Sequence, residues 1–447
     1  MKEMTQETPP ARGKSEEQKF DEFIMNESET DEPYAPITGK LHSFKYLAKE
    51  ERDKLIKYNK QYFRKHNKIP TTTLEYYRYV KVIGKGAFGI ATLGIHKLTG
   101  KQVAIKTIKK SYIKDEYSRR KVFQEIFILK KIRHSNIIRL LEVFESQKHI
   151  LLVMEYANGG DLLHFVRNVG KLPEYDTKHI FRQILYGLAH CHWRSVMHRD
   201  IKLDNILLDS NSNIKICDFG IAKIISRGVK VKEQWGTPAY MAPEIMDEDG
   251  YETFYPDFWS LGVLLYAMLF GTVPFKANNM EELHMLIQKG DFDFPPEASK
   301  EAKSLISGLI KVDPQNRLTL PKILNHPWIK EIWEESDSSE DEKDINDQTP
   351  NENKAPKTAE EDSDLKNIGA NINYVNVDNL FFEENYGTKL SYTDYWSITE
   401  DYYTHHINED AINTVCKLGY PRDFVVKCLN NGDLNHVTAT YYLLVLD

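Results

Sequence analysis

Val196-Met197-His198-Arg199-Asp200-Ile201-Lys202-Leu203-Asp204-Asn205, followed by Ile216-Cys217-Asp218-Phe219-Gly220, is the stretch on which the reading turns. Three carboxylates, a lysine and an amide recur among apolar, β-prone residues. Moving a phosphoryl group needs metal to neutralise phosphate oxygens, cations on the transferred group and a carboxylate to orient the acceptor hydroxyl. Asp200, Lys202, Asn205 and Asp218 are residues of those types. Carboxylate and amide oxygens suit Mg²⁺, which keeps waters and takes few protein ligands.

Upstream, Gly84-Lys85-Gly86-Ala87-Phe88-Gly89 lies between the β-branched runs YVKVIG and IATLGIH. Glycines let backbone approach phosphate and present N–H groups to it. A nucleotide-binding βα turn shows the same string, but it requires a helix next. Here a strand follows, so the string reads as a phosphate-covering hairpin. Val103-Ala104-Ile105-Lys106 then sets a lysine in an apolar strand, where an unpaired ammonium is costly. Glu125, on the helical run RKVFQEIFILKKI, is its expected partner. With HILLVMEY these segments predict a small β-rich lobe. Beyond Gly160, apolar-periodic segments at Leu162 to Val169, Thr177 to Trp193, Pro256 to Phe270 and Lys300 to Ile310 predict a helical lobe.

Composition bounds the rest. The 447 residues, 41% hydrophobic and 28% charged with a net charge of −7, describe an ordinary soluble chain without a basic footprint for nucleic acid. The four cysteines, Cys191, Cys217, Cys416 and Cys428, form no CxxC pair, which fits a reducing interior. The longest apolar run, Leu261 to Phe275, contains Gly262, Gly271 and Pro274 and reads as a core helix rather than a membrane span. No secretory leader or lipid anchor is expected. Residues 1–40 are polar and proline-dotted, predicting a disordered tail. Leu41, Phe44, Leu47, Leu55, Tyr58 and Tyr62 form a helical stripe in an extension over 41–70, either solvated or docked as a regulatory element. From Glu331 to Lys366 there are 14 acidic against 4 basic residues, so 331–370 reads as a disordered acidic linker. Three short apolar-periodic segments over 408–447 predict a small three-helix domain.

Taken together, these motifs resemble those of eukaryotic protein kinases over 77–329, in order and at the usual spacing. The resemblance implies an α+β, bilobal fold using ATP and Mg²⁺. By position, Gly84, Gly86 and Gly89 with Lys85, Ala87, Phe88, Ala91, Ala104 and Asp161 would surround ATP, and Lys106, anchored by Glu125, would contact its α and β phosphates. Met154 falls at the gatekeeper position and Glu155 to Ala157 at the adenine-reading hinge. Asp200 would be the catalytic base, Lys202 would reach the γ phosphate, and Asn205 and Asp218 would bind Mg²⁺. Glu244 of Ala242-Pro243-Glu244 would pair with Arg317, and Asp257 would brace the catalytic loop. Lys202 and Gly236-Thr237-Pro238-Ala239-Tyr240 are similar to serine/threonine rather than tyrosine kinases, with Thr237 shaping the acceptor site. Asp161 and Asp204 stand where relatives select a basic side chain three residues before the acceptor.

Two positions depart from the pattern. Ala91 replaces the usual valine over adenine. Glu233 stands where many relatives carry a phosphorylated threonine, and could pair with Arg199 and Lys223 to give partial activity without an upstream kinase; an exposed, unpaired glutamate is the alternative. Cys416-Lys417-Leu418-Gly419-Tyr420-Pro421-Arg422 and NNGDLNHVTATYYLL resemble the ubiquitin-associated domain of AMP-activated-kinase-related enzymes, with Leu418 in place of the usual methionine. That resemblance implies docking on the kinase within the chain. The acidic segment after Trp328 disfavours calmodulin control. The partners expected are protein substrates, with neither nucleic acid nor membrane, in the cytoplasm with nuclear access left open. A catalytically weak scaffold or a ubiquitin-binding adaptor is the competing reading, but a scaffold would usually have lost Lys106, Asp200 or Asp218.

Overall fold

The computed structural model describes residues 15–27, 41–86, 89–226, 229–251, 253–330 and 407–446. The glycine-bearing turns and β-branched runs fold into five strands: β1 (Tyr77–Lys85), β2 (Ile90–His96), β3 (Gln102–Lys109), β4 (Leu140–Glu145) and β5 (His149–Glu155). They form one antiparallel sheet in the order β1-β2-β3-β5-β4. β4 was not anticipated. Helix α3 (Glu116–Lys131) starts at an Asp115 cap, whose carboxylate accepts the Ser118 N–H.

The helical lobe contains α4 (Leu162–Val169), α5 (Glu174–Trp193), α6 (Tyr255–Phe270), α7 (Met280–Lys289), α8 (Lys300–Leu309), α9 (Leu320–Leu324) and α10 (Pro327–Lys330). Short strands β6 (Val196–Met197), β7 (Ile206–Leu208), β8 (Ile214–Ile216) and β9 (Lys223–Ile224) pair β6 with β9 and β7 with β8. Helix α6 is apolar all round and buried through Leu269, as the run's composition predicts for a core helix. Among the described residues no helix is long and apolar enough to cross a membrane.

Three further helices, α11 (Glu409–Lys417), α12 (Arg422–Asn430) and α13 (His436–Val445), close the chain. They pack on the β lobe. The Arg139 guanidinium lies 3.8 Å over the Tyr442 ring, and Arg133 donates to the Gly432 carbonyl at 3.3 Å. Helix α2 (Leu41–His66) is docked too, with Leu55 and Asn59 buried and Glu51 2.6 Å from Arg78. A buried polar relay joins these pieces: Tyr76 donates to Asn59 at 2.6 Å, Asn59 to the Tyr420 hydroxyl at 2.9 Å, and Tyr420 meets His436 Nδ1 at 2.6 Å. His436 Nε2 lies 2.9 Å from the Pro70 carbonyl.

The disorder expected over 1–40 is corrected for one stretch. Glu16–Glu27 forms helix α1, with Phe20 and Ile24 buried. Phe20 contacts the Tyr79 and His149 rings, and Glu17 accepts from Ser146 and Lys148. Two apolar residues spaced four apart are enough to anchor a helix on a waiting surface, and mean composition does not register them. Residues 1–14 and 28–40 and the linker at 331–370 lie outside the described residues.

Candidate active site

Two side-chain clusters gather the residues expected at the site. In the first, β3 carries Lys106 and α3 carries Glu125, whose Oε1 lies 2.5 Å from Lys106 Nζ; Asp218 Oδ1 is 3.9 Å away. Burial would pull the Lys106 ammonium down, but the charges of Glu125 and Asp218 outweigh it and hold its pKa above the ordinary value. The Asp218 side chain stays half-exposed, at 55%, on a backbone with φ of +60°. Phe219 beside it is buried against the His198 ring.

In the second cluster, Asp200 collects every other expected catalytic group. Thr237 donates to its Oδ1 at 2.6 Å, Lys202 Nζ lies 2.9 Å from Oδ2, and Asn205 Nδ2 donates to Oδ2 at 2.8 Å. Lys202 also reaches the Thr237 hydroxyl at 2.9 Å. Burial pushes the Asp200 carboxyl up; the hydrogen bonds from Thr237 and Lys202, with the nearby charges, overcome it and hold the group below its usual range. The clusters are joined by backbone, since Cys217 donates its N–H to the Asn205 carbonyl and His198 Nε2 lies 3.0 Å from the Cys217 carbonyl.

The catalytic loop is braced from below. Buried Asp257 accepts the N–H groups of His198 and Arg199 at 2.9 and 2.8 Å and meets His192 Nε2 at 2.8 Å. Arg317 forms a forked pair with Glu244 at 2.6 and 3.0 Å. Gly236, at φ +147°, has no room for a side chain: a Cβ would stand 2.9 Å from Met241 Cγ and 3.2 Å from the Arg199 carbonyl.

Above the cleft, Gly84 pairs with Ala91 and Lys85 with Ile90 across the hairpin. Gly89 has a packing reason as well, because a Cβ there would meet the Thr107 carbonyl at 2.3 Å. Ala87 and Phe88 lie outside the described residues. Ala104 pairs with Met154 across β3 and β5. The Glu155 side chain is committed to structure, accepting the Arg139 N–H at 2.7 Å and pairing with Lys215 at 2.9 Å. Ala157 is buried beside it.

Asp161, expected to face a substrate cation, is 7% exposed and caps α4. It accepts the His164 N–H at 2.8 Å and meets His164 Nδ1 at the same distance. Asp204 is exposed. Glu233 lies 2.6 and 2.7 Å from Lys223 Nζ and 3.9 Å from Arg199 Nη1. Burial raises its carboxyl, yet Lys223 and then Arg199 bring it below the ordinary value.

The sequence reading missed two contacts between α3 and the segment after Asp218. Gln124 donates to the Ala222 carbonyl at 2.8 Å, and Lys121 lies 3.7 Å over the Trp235 ring. Only the i, i+4 spacing of Lys121 and Glu125 hinted that they share a face.

The donor chemistry fits magnesium and a nucleotide triphosphate. Asn205 spends its amide N–H on Asp200, which leaves its oxygen available, and Asp218 presents a half-exposed carboxylate beside a buried ammonium. Hard oxygen donors of this kind suit Mg²⁺.

Comparison with known proteins agrees. A family model described as the protein kinase domain matches residues 77–329. A serine/threonine-protein kinase SIK3 homolog of Danio rerio is 31% identical over 375 residues, 84% of this chain and 27% of that protein. SNF1-related protein kinase catalytic subunit alpha KIN12 of Arabidopsis thaliana is 40% identical over 262 residues, 59% of this chain and 53% of that protein. The chain thus spans about half the length of one relative and about a quarter of the other.

Proposed function

The chain belongs to the protein kinase family, and on that premise we propose that it transfers the γ-phosphoryl group of ATP to serine or threonine hydroxyls of proteins. The observation that supports this reading is that Lys106, Glu125 and Asp218 form one cluster and Asp200, Lys202, Thr237 and Asn205 another, joined by the backbone bond from Cys217 to Asn205. The names of both relatives accord with kinship to AMP-activated-kinase-related enzymes.

Lys106, fixed by Glu125, would orient the nucleotide phosphates. Asn205 and Asp218 would hold Mg²⁺, which when bound neutralises phosphate charge. Asp200 is too weak a base to strip an alcohol before reaction; its carboxylate orients the acceptor hydroxyl and takes the proton late. Lys202, already beside Asp200, places a cation where the transferred group must pass. Thr237, hydrogen-bonded to both, ties the acceptor platform to the catalytic loop. A preference for a basic residue before the acceptor then rests on exposed Asp204 rather than Asp161.

Purified enzyme presented with a peptide library should phosphorylate Ser and Thr peptides enriched in Arg or Lys on the N-terminal side. Asp218→Ala should abolish that while leaving the thermal midpoint near wild type. Equal phosphorylation by both proteins would end the reading.

A further inference from the structure

Phe123 and Phe127, one turn apart on α3, stand 50% and 58% exposed. They are not scattered surface apolars. With Arg119 and Lys130 they form one wall of a groove whose other wall is Lys223 and Ile224 of β9. The lining carries the cations Arg119, Arg120, Lys130 and Lys223 against the single acid Glu116. Two half-exposed rings among four cations suit an acidic, aromatic occupant.

We propose that the occupant is a segment of the same chain, Asp378-Asn379-Leu380-Phe381-Phe382-Glu383-Glu384-Asn385-Tyr386. It has three aromatics and a leucine to fill the groove, with three acids and no base to meet the rim. The point where the chain rejoins the described structure also favours it. The Asn408 N–H is bonded to the Tyr441 hydroxyl at 2.8 Å, the neighbouring Tyr442 stacks on Arg139, and Gly432 is bonded to Arg133 just beyond the end of α3. The segment is therefore tethered to a domain that contacts the chain just beyond the end of α3. A covalent tether raises the local concentration of the segment over that of a separate molecule.

Occupancy would brace α3 against β9, and these walls carry Glu125 and Lys223, the partners of Lys106 and Glu233. The docking itself does not depend on catalysis, so it is tested without an activity assay. The full chain with p-benzoylphenylalanine at position 127 is irradiated as an equal mixture of isotopically light and heavy protein, and adducts are mapped by mass spectrometry. The expected product is an intrachain adduct within 378–386, reduced about tenfold by Phe381→Ser with Phe382→Ser, which removes two aromatic anchors at once. Interchain adducts would assign the groove to a second copy and overturn the proposal, as would adducts elsewhere or none. As an independent check in the otherwise native chain, the same double serine substitution should speed hydrogen exchange along α3; unchanged exchange would also overturn it.

Discussion

Replacing Glu233 with glutamine keeps its size and removes one charge, so it isolates what that carboxylate does in the activation segment. Glu233 contacts Lys223 through both oxygens and Arg199 at 3.9 Å. Lys223 is 26% exposed and Glu233 43%, so solvent screens that pair, and exposed pairs are worth about 0.2–1 kcal/mol. The Arg199 side chain is only 6% exposed, which puts its longer contact toward the upper end of the same range. Together they hold the segment by about 1–1.5 kcal/mol, or roughly five- to tenfold in the population of the ordered form. The assay is kcat/KM for a peptide substrate with bacterially expressed, dephosphorylated enzyme. Wild type should be active and Glu233→Gln about five- to tenfold slower, the gap narrowing as salt shortens the Debye length from about 10 Å at 0.1 M toward 3 Å at 1 M. A phosphate would offer about −1.5 to −2 charge against the single charge of Glu233. A mutant within twofold of wild type would refute the reasoning, as would a gain of more than roughly tenfold when wild type is treated with an upstream kinase.

Two other perturbations follow from buried groups. Burial lifts the Glu142 carboxyl to about 7 despite hydrogen bonds from Tyr77 and Thr72. Its contribution to stability is complete below its ordinary value of 4.5 and is lost as pH rises through about 7. Glu142→Gln should therefore gain on wild type between pH 5 and 8, by at most about 3 kcal/mol; parallel curves of thermal midpoint against pH would contradict this. Glu125→Ala would leave Lys106 with Asp218 alone at 3.9 Å. Breaking a buried pair costs about 3–5 kcal/mol, and the 20% exposure of Lys106 puts this case at the low end, near a hundredfold loss in kcat/KM for ATP. Steady-state kinetics showing less than a threefold change would exclude that role for the pair.

The lobes were legible because their signals are local. Glycine-bearing turns, β-branched runs and 3.6-residue periodicity place β1, β2, β3, β5 and helices α3, α4, α5, α6 and α8 close to their observed ends, whereas α7 was not anticipated. The site was legible because its residues sit in short motifs, so Lys106, Asp200, Asn205 and Asp218 could be named without coordinates. What escaped was pairing across long separations. Asn59 finds Tyr420, Arg139 finds Tyr442 and Glu142 finds Tyr77 without any periodic trace. Two misses did leave marks. Ser15 and Gln18 form a reciprocal capping box, with bonds of 2.9 and 3.2 Å, that announces α1. Asp161 directly before an apolar-periodic helix is an N-cap pattern, which competes with the role its motif position suggests.

The relay from Tyr76 through Asn59, Tyr420 and His436 to Pro70 lies wholly outside the stretch that the family shares. An enzyme trimmed to residues 77–329 would lose every member of that relay at once and would bare the sheet surface beneath α2 and α13. For this chain the boundary drawn by ancestry and the boundary of the cooperative folding unit are different lines, and truncation along the first cuts through the second.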